Sequence, residues 1–405
     1  MTSKFGVHYQ TTPERKPGAL GDTVEIVRAS RMGWVKAINP DSWSENPFTG
    51  KRVLARLWIG GDDKEAAFYR RGAAGADEYF EMLKPRYLKL KGMGILDVAA
   101  ANEPQATCSY FDDAKRYIAD WYTIALFERR WCELVAAGGM RPWVFSNSTG
   151  TPEMDALIVM LPAFYAAVKA GGGWEVHEYS APGVRDGYGW YVGRIGRMLD
   201  KLAGLGFPRT TLPVFIGEGG IDGGVIRWNE PPWAGKKPRR GWRDWRDWAY
   251  TGDDCMGLTS PQGGMTHELY WRHLSWQDDG YCAIPEVVAF TPFVCNPEPM
   301  WADFTLDGSM VFRMAAKYET AEPEPAPEPL PEHETATDPE TLAEKCRWWS
   351  EEITRALEAQ EWERARRLHV SLTRLLYRLE RRLKGYKLAT AGGVGTYWLR
   401  PESEE

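Results

Sequence analysis

Short apolar runs alternate with longer segments of helical periodicity from the N-terminus to about residue 320. Such alternation is typical of repeated βα units around a parallel sheet. Apolar residues at helical spacing predict helices over residues 112–137 and 154–170, and three glycines (171–173) end the second of them. The apolar runs predict eight strands, over residues 5–9, 34–38, 53–59, 95–101, 143–146, 174–179, 214–217 and 287–292.

Eight strands with helical connections predict an α/β fold, a (β/α)8 TIM barrel over residues 1–320. A barrel of this kind takes roughly 250 residues or more, so the 405 residues leave room for a smaller second unit. An open doubly wound sheet is the alternative. It is less favoured because no Gly-rich phosphate-binding motif follows the first strand.

The composition changes sharply at Ala321, where Pro and Glu begin to dominate. Residues 321–337 are therefore predicted to form an extended linker. Residues 338–405 are predicted to form a C-terminal helical hairpin and tail, with Asp338 and Pro339 starting the first helix. Such a hairpin buries little surface alone, so residues 338–384 are expected to dock on the barrel or to mediate self-association. A structural appendage without chemistry is the simpler alternative.

Charge and cysteine content exclude several classes of protein. A formal net charge of −6 gives no electrostatic reason to expect nucleic acid or a membrane as partner. Neither a signal-peptide pattern nor an apolar stretch of membrane-spanning length is present, which predicts a cytoplasmic protein or one released by cell lysis. Six scattered cysteines favour free thiols, with a Cys282–Cys295 pair as the alternative.

Two glutamates follow predicted strands in distinctive surroundings. Glu103 stands in an Asn-Glu-Pro run after the fourth strand, and Glu218 ends the run that begins at Pro213 after the seventh strand. The carboxyl ends of barrel strands meet at one face, so both side chains are expected to converge there. Carboxyl groups about 5–5.5 Å apart can cleave a glycosidic bond with retention of configuration. One lone Glu after a strand is more often a surface group, but the pair favours catalysis.

Together these two motifs resemble clan A of the (β/α)8 retaining glycoside hydrolases, which includes cellulases, β-mannanases, β-glucanases and β-xylosidases. The resemblance implies that Glu103 is the general acid/base and Glu218 the nucleophile. It also implies that Asn102 holds the sugar 2-hydroxyl, and that His177 and Tyr179 contact the nucleophile. No metal or organic cofactor is implied. The resemblance covers residues 4–318 in topology and leaves out the linker and the tail.

Further candidates for the site lie at the ends of other predicted strands. Arg56 on the third strand is expected to place positive charge beside the nucleophile. Glu178 alternates with His177 and Tyr179, so it is expected to face away from them and to pair with an arginine. Candidate sugar contacts are His8, Trp58, Asn147, Trp228 and Trp301. For His8, filling the top layer of the barrel is an equally good interpretation, and the same alternative holds for Trp58 and Asn147.

Aromatic residues are unusually frequent, with 20 Trp in the chain. An excess beyond the needs of the core suggests exposed surface for a flat ligand such as a sugar ring. Residues 222–260 interleave Trp with Arg and Lys, and are predicted to form a wall over the cleft, with structural packing as an equal alternative. Nucleic-acid binding is disfavoured by the interleaved Asp residues. The eighth strand offers Phe290 and Phe293 where the clan often has Trp, which leaves the innermost subsite undefined.

These observations predict a retaining glycoside hydrolase that cleaves β-glycosidic bonds in an oligo- or polysaccharide by double displacement. Its partner is then a β-linked glycan. A non-catalytic glycan-binding barrel is one alternative, and a cell-wall lysin with a targeting tail is another. The sugar, the linkage and endo or exo action are left open, because one fold hosts many specificities.

Overall fold

The computed structural model describes residues 2–10, 21–230, 233–250, 255–256, 258, 264–295, 297–320, 387–390 and 396–399. The predicted linker over residues 321–337 and the predicted helical hairpin over residues 338–384 lie outside this part of the chain. Their docking or self-association therefore stays a prediction.

Eight parallel strands follow one another around a barrel in chain order. The barrel closes where the segment around β1 meets the segment around β8: the Gly6 amide donates to the Phe290 carbonyl at 2.8 Å, and the Cys295 amide donates to the His8 carbonyl at 2.7 Å. The predicted barrel is thus confirmed, and the open sheet is excluded. The strands are β1 (Val7–Gln10), β2 (Trp34–Ile38), β3 (Arg52–Arg56), β4 (Asp97–Ala99), β5 (Arg141–Asn147), β6 (Gly173–Ser180), β7 (Val214–Ile221) and β8 (Val287–Pro292).

Helices connect the strands as βα units require. Helix α4 begins where the Asp113 carboxylate caps the Arg116 amide, and α7 begins where the Thr266 hydroxyl caps the Leu269 amide. The helices are α1 (Gly21–Ala29), α2 (Asp62–Tyr69), α3 (Gly72–Gly92), α4 (Ala114–Ala137), α5 (Leu157–Lys169), α6 (Arg194–Gly204), α7 (His267–Cys282) and α8 (Gly308–Thr320). None of the described helices is long and apolar enough to cross a membrane.

The barrel interior is apolar near the amino ends of the strands and charged nearer their carboxyl ends. Near the amino ends of the strands, Trp34, Trp143 and Phe215 pack edge to face with ring centroids 5.2–5.8 Å apart. Side chains alternate along each strand, so the next inward residue on β2 after Trp34 is Lys36. The layer of aromatic residues therefore lies on the amino-terminal side of a layer of ionisable side chains.

Irregular pairing in β5, β6 and β7 changes which residues point inward. Register shifts occur between Val144 and Asn147 on β5, and opposite Val176 and His177 on β6. In β5, Ser146 has φ 38°, in the left-handed region. The shift in β7 aligns Glu218 with His177, which points both into the barrel. Glu218 thus lies inside β7, although the sequence pattern ends that strand at residue 217.

Two further observations concern the cysteines and the predicted tail. Cys282 and Cys295 are both free thiols, which agrees with the preferred interpretation of the cysteines. In the predicted tail, β9 (Lys387–Thr390) and β10 (Thr396–Leu399) form an antiparallel pair in which Trp398 lies opposite Leu388. The sequence pattern had not indicated these two strands.

Candidate active site

Glu103 lies in the loop that follows β4, at the mouth of the barrel. Its backbone adopts the left-handed region with φ 44°, and its amide donates to the Ser146 carbonyl at 3.1 Å. Such a conformation is costly for a non-glycine residue and clusters at functional sites. The side chain is 32% exposed, and its Oε1 lies 2.7 Å from Nδ1 of His177. The strained loop thus holds a carboxyl group that both solvent and a ligand can reach.

Glu218 lies deeper, with a side chain that is 10% exposed. Lys36 donates to its Oε1 at 2.9 Å, and the Tyr179 hydroxyl donates to its Oε2 at 2.9 Å. The guanidinium of Arg56 lies 3.8 Å from Oε1. Two donors and a second cation therefore fix this carboxylate in one orientation.

The two glutamates and His177 lie close enough to one another to act as one group. A carboxylate oxygen of Glu103, one of Glu218 and a ring nitrogen of His177 all lie within 4.8 Å of one another. His177 bridges the pair, because its Nδ1 is also 3.7 Å from Oε2 of Glu218. The convergence predicted from strand order is therefore present.

The electrostatic surroundings shift the pKa values of Glu218 and His177 in opposite directions. Burial alone would raise the pKa of Glu218, but His177, Lys36 and Arg56 outweigh it and hold that pKa well below its usual value. Burial would likewise lower the pKa of His177, but the carboxylates of Glu218 and Glu103 raise it above the ordinary value. Glu218 is therefore an anion throughout the physiological range, beside an imidazole that accepts protons readily.

Asn102 is held from two sides next to Glu103. Its backbone amide donates to Oε2 of the buried Glu65 at 2.5 Å, and its side-chain oxygen accepts from the guanidinium of Arg56. The amide NH2 group of Asn102 is the part that these two contacts leave available to a ligand. This arrangement suits the predicted contact with a sugar hydroxyl, and it gives Arg56 a second role beside Glu218.

Lys36 and Glu175 are site residues that the motif analysis missed. Both are fully buried, and Lys36 Nζ lies 2.7 Å from Oε1 of Glu175. A signal was available in the sequence: β2 has the pattern of a strand buried on both faces, where a lysine must find a partner. The partner on β6 is visible only in three dimensions.

His8 lies under the aromatic side of the site. It is fully buried, and neither ring nitrogen has a hydrogen-bond partner in the described structure. Burial and Lys36 hold its pKa well below 6.5, so the ring is neutral. Phe293 packs on His8 with centroids 5.0 Å apart and extends to Tyr179 and to Trp301 at 6.3 and 5.6 Å. Phe293 and Trp301 thus belong to an aromatic cluster that includes Tyr179, the tyrosine that donates to Glu218.

Asn147 and Trp58, two of the predicted sugar contacts, do not lie beside the two carboxylates. Asn147 is fully buried and accepts from Trp174 Nε1 at 2.7 Å, while Trp174 packs on Phe164 of α5. The β5 bulge thus turns Asn147 toward the helical layer and away from the carboxylates. Trp58 follows β3 and is 40% exposed, which leaves it on the rim. Glu178 faces away from the site as expected, but it accepts from the backbone amides of residues 193 and 195 and from Tyr281, where an arginine was expected.

In the Trp-rich segment that is predicted to form a wall over the cleft, basic side chains of the same segment lie against the Trp rings. Lys236 lies 4.8 Å from the Trp233 ring centroid and 5.0 Å from that of Trp248. Trp228 donates to the Gly223 carbonyl at 2.9 Å and packs edge to face on Trp233 at 5.4 Å. These contacts favour packing over sugar stacking for Trp228. Trp301 is covered on one side by Arg240, whose guanidinium carbon is 5.3 Å from the ring centroid.

Glu103, His177 and Glu218 also have the spacing of a metal site. Two carboxylates and an imidazole are suitable ligands for a divalent cation. However, Lys36 already donates to Glu218 and lies 3.1 Å from Nε2 of His177. The ammonium therefore already places a positive charge beside two of these three residues, and like-charge repulsion disfavours a metal cation next to it.

Comparison with known proteins finds solved structures of distant likeness. No protein-family model matches the chain, and no curated protein matches it. Similar solved structures include an endoglucanase, a β-glucosidase and a mannanase. A GH5-4 broad specificity endoglucanase from an uncultured bacterium is 11% identical, with TM-score 0.40, covering 78% of this chain and 94% of that one.

Two further structures show a similar level of likeness. A family 1 β-glucosidase from Thermotoga maritima is 8% identical, with TM-score 0.36, covering 72% of this chain and 88% of that one. An endo-β-1,4-mannanase from Thermotoga petrophila is 11% identical, with TM-score 0.38, covering 79% and 77%. At these identities and TM-scores the likeness carries no argument, and both the fold and the chemistry of the site rest on the geometry of this chain.

Proposed function

We propose that the chain is a retaining glycoside hydrolase that cleaves β-glycosidic bonds in an oligo- or polysaccharide. The observation that carries this proposal is the approach of Glu103 and Glu218, whose carboxylate oxygens come within 4.8 Å. That spacing supports retention, because inverting enzymes separate their carboxyl groups by roughly 6.5–9.5 Å to admit a water molecule.

In the first step, Glu218 attacks the anomeric carbon while the bond to the leaving oxygen breaks. Glu103 gives its proton to that oxygen, so the aglycone leaves as a neutral alcohol. The low pKa of Glu218 supports its role as the nucleophile. The greater exposure of Glu103 suits a group that must reach the leaving oxygen and later a water molecule.

In the second step, a water molecule attacks the anomeric carbon of the glycosyl-enzyme. Glu103 accepts the proton of this water, and the bond between Glu218 and the sugar breaks. His177 Nδ1 lies 2.7 Å from Glu103 and keeps that carboxyl group directed at the site in both steps. Asn102 would donate to the sugar 2-hydroxyl, and Phe293 with Trp301 would contact the sugar face.

Hydrolysis of a panel of aryl β-glycosides and β-glycans tests this function. We expect the wild type to release sugar, and Glu218→Ala to lose activity by about 10⁴-fold or more, since the nucleophile is gone. The matched control is Glu133→Gln, a surface residue paired with Arg129 on α4, which should keep full activity. Equal activity of wild type and Glu218→Ala would exclude the proposal.

Azide rescue assigns the two roles separately. With Glu218→Ala, azide should displace an activated aglycone directly and give the α-glycosyl azide. With Glu103→Ala, azide should attack the glycosyl-enzyme on Glu218 and give the β-glycosyl azide. The opposite assignment of anomers would reverse the roles of the two residues.

Two alternatives would give different results. A non-catalytic glycan-binding barrel would bind glycans in calorimetry and release no sugar with any variant. A metal-dependent enzyme would lose activity with a chelator and regain it with a divalent cation. We expect chelation to leave activity unchanged, because the ammonium of Lys36 already supplies positive charge beside Glu218.

A further inference from the structure

Lys36 carries a fully buried charge within the site. Its ammonium donates to Oε1 of Glu218 at 2.9 Å, lies 3.1 Å from Nε2 of His177, and forms a 2.7 Å ion pair with Glu175. An ammonium has three N–H donors and no acceptor, so at this depth its neighbours must supply acceptor atoms and negative charge. A lysine without exposure is stable only when it is paired in this way.

The carboxylate of Glu175 fits inside the barrel because the backbones of β5 and β7 are irregular beside it. The Ser146 hydroxyl donates to it from the bulge in β5, where residue 146 has φ 38°. On the other side, a Cβ atom at position 217 would lie 2.0 Å from Oε1 of Glu175, so only glycine leaves the room. The irregularities of β5 and β7 thus both accommodate this one carboxylate.

We propose that Lys36 is a positioning residue for the nucleophile, held in place by Glu175, so that Glu218 is fixed from inside the barrel as an anion. This inference rests on the proposed function. Lys36 and Arg56 balance the charges of Glu175 and Glu218. Lys36 contacts Oε1 of Glu218, and Tyr179 contacts the other oxygen, Oε2. Without Glu175, one cation would be left in excess; without Lys36, two buried carboxylates would face each other.

A double-variant cycle separates positioning from mere stability. Lys36→Met leaves buried negative charge uncompensated and should lower the melting temperature strongly. Lys36→Met/Glu175→Gln removes one charge of each sign and should recover most of that loss. The double variant should nevertheless keep a kcat reduced by about 100-fold with little change in KM, since a group that stabilises the reacting carboxylate is missing. Its acidic pH limit of activity should also move upward.

The control is Lys84→Met, an exposed lysine that pairs with Glu81 on α3, for which we expect wild-type values. A double variant with wild-type kcat and pH profile would overturn the inference, as would one no more stable than Lys36→Met. Failure of the proposed function looks different: the wild type itself would then cleave no glycan, whatever residue stands at position 36.

If the double variant does not fold, the wild type carries the test. A 2-deoxy-2-fluoroglycoside with a good leaving group should esterify Glu218 and remove its charge. The ¹⁵N signal of the Lys36 ammonium should then shift, while those of exposed lysines stay in place. An unshifted Lys36 signal in labelled protein would contradict the contact on which the inference depends.

Discussion

At the scale of residues, the site separates two chemically identical side chains by their surroundings. Glu103 sits on a strained loop at the mouth, and Glu218 sits on a strand above a buried lysine. Strand order predicted that both residues meet at the mouth of the barrel. The resemblance to clan A added His177 and Tyr179 as contacts of the nucleophile. Sequence reasoning missed Lys36 and Glu175, because a lone charge in a strand reveals its partner only through the tertiary fold.

Tyr179→Phe tests one contact of the nucleophile. The hydroxyl of Tyr179 donates to Glu218 at 2.9 Å, and a hydrogen bond to a charged group contributes about 1.5–3 kcal/mol. We expect kcat/KM to fall by about 10- to 100-fold, with the melting temperature nearly unchanged. Tyr122→Phe, at a partly exposed position on α4, is the matched control. Unchanged kinetics for Tyr179→Phe would show that the contact does not support the reaction.

At the scale of elements, the irregular strands decide the site more than the regular ones do. The sequence pattern predicts β2 and β8 with the bounds that the structure has. It places Glu218 after β7, whereas the register shift puts Glu218 within that strand and points it inward. A similar shift in β5 turns Asn147 toward the helices. Apolar patterning cannot predict a bulge, since the bulge depends on which neighbouring side chain needs the space.

Gly217→Ala tests the bulge in β7. The added Cβ would lie 2.0 Å from Glu175, and overpacking of this kind costs about 1–3 kcal/mol. We expect a lower free energy of unfolding in urea, together with a lower kcat, because Glu175 would be displaced from Lys36.

Gly280→Ala is the opposite case within α7, where no atom lies within 4 Å of the new Cβ. It should stabilise the protein by about 0.5–1 kcal/mol, because alanine favours the helix. If Gly217→Ala were as stable and active as wild type, Glu175 would not need the room that this glycine leaves.

At the scale of the whole molecule, buried carboxyl groups make stability depend on pH in two directions. Burial raises the pKa of Glu65 and of Glu178 to about 7. By contrast, Asp97 has a lowered pKa, because Arg141 and Arg52 outweigh its burial. The pKa of Glu218 is lowered in the same way. Glu65 and Glu178 therefore make the folded state more stable in mild acid than at neutral pH. Asp97 and Glu218 make it less stable in strong acid.

We therefore expect the free energy of unfolding to be largest in the mildly acidic range. Between the unfolded pKa of about 4.3 and the folded value of about 7, the folded state binds more protons than the unfolded state, so stability falls as pH rises. Below this range, protonation of Asp97 and Glu218 removes their contribution. Urea unfolding from pH 3 to 8 measures the profile.

Glu178→Gln should flatten the decline toward neutral pH, because the titrating group is gone. A profile that rises steadily to pH 8 in the wild type would contradict the assignment of the raised pKa values.

The sequence alone determined the barrel, the order of its strands and the two glutamates at its mouth. It could do so because burial imposes a period on each strand, and because strand order in a barrel fixes which ends meet. Only the tertiary structure decided how Glu218 is charged and held. That depends on Lys36, Glu175 and Ser146, which come from three different strands, and their contacts arise from register shifts that leave no periodic trace in the chain.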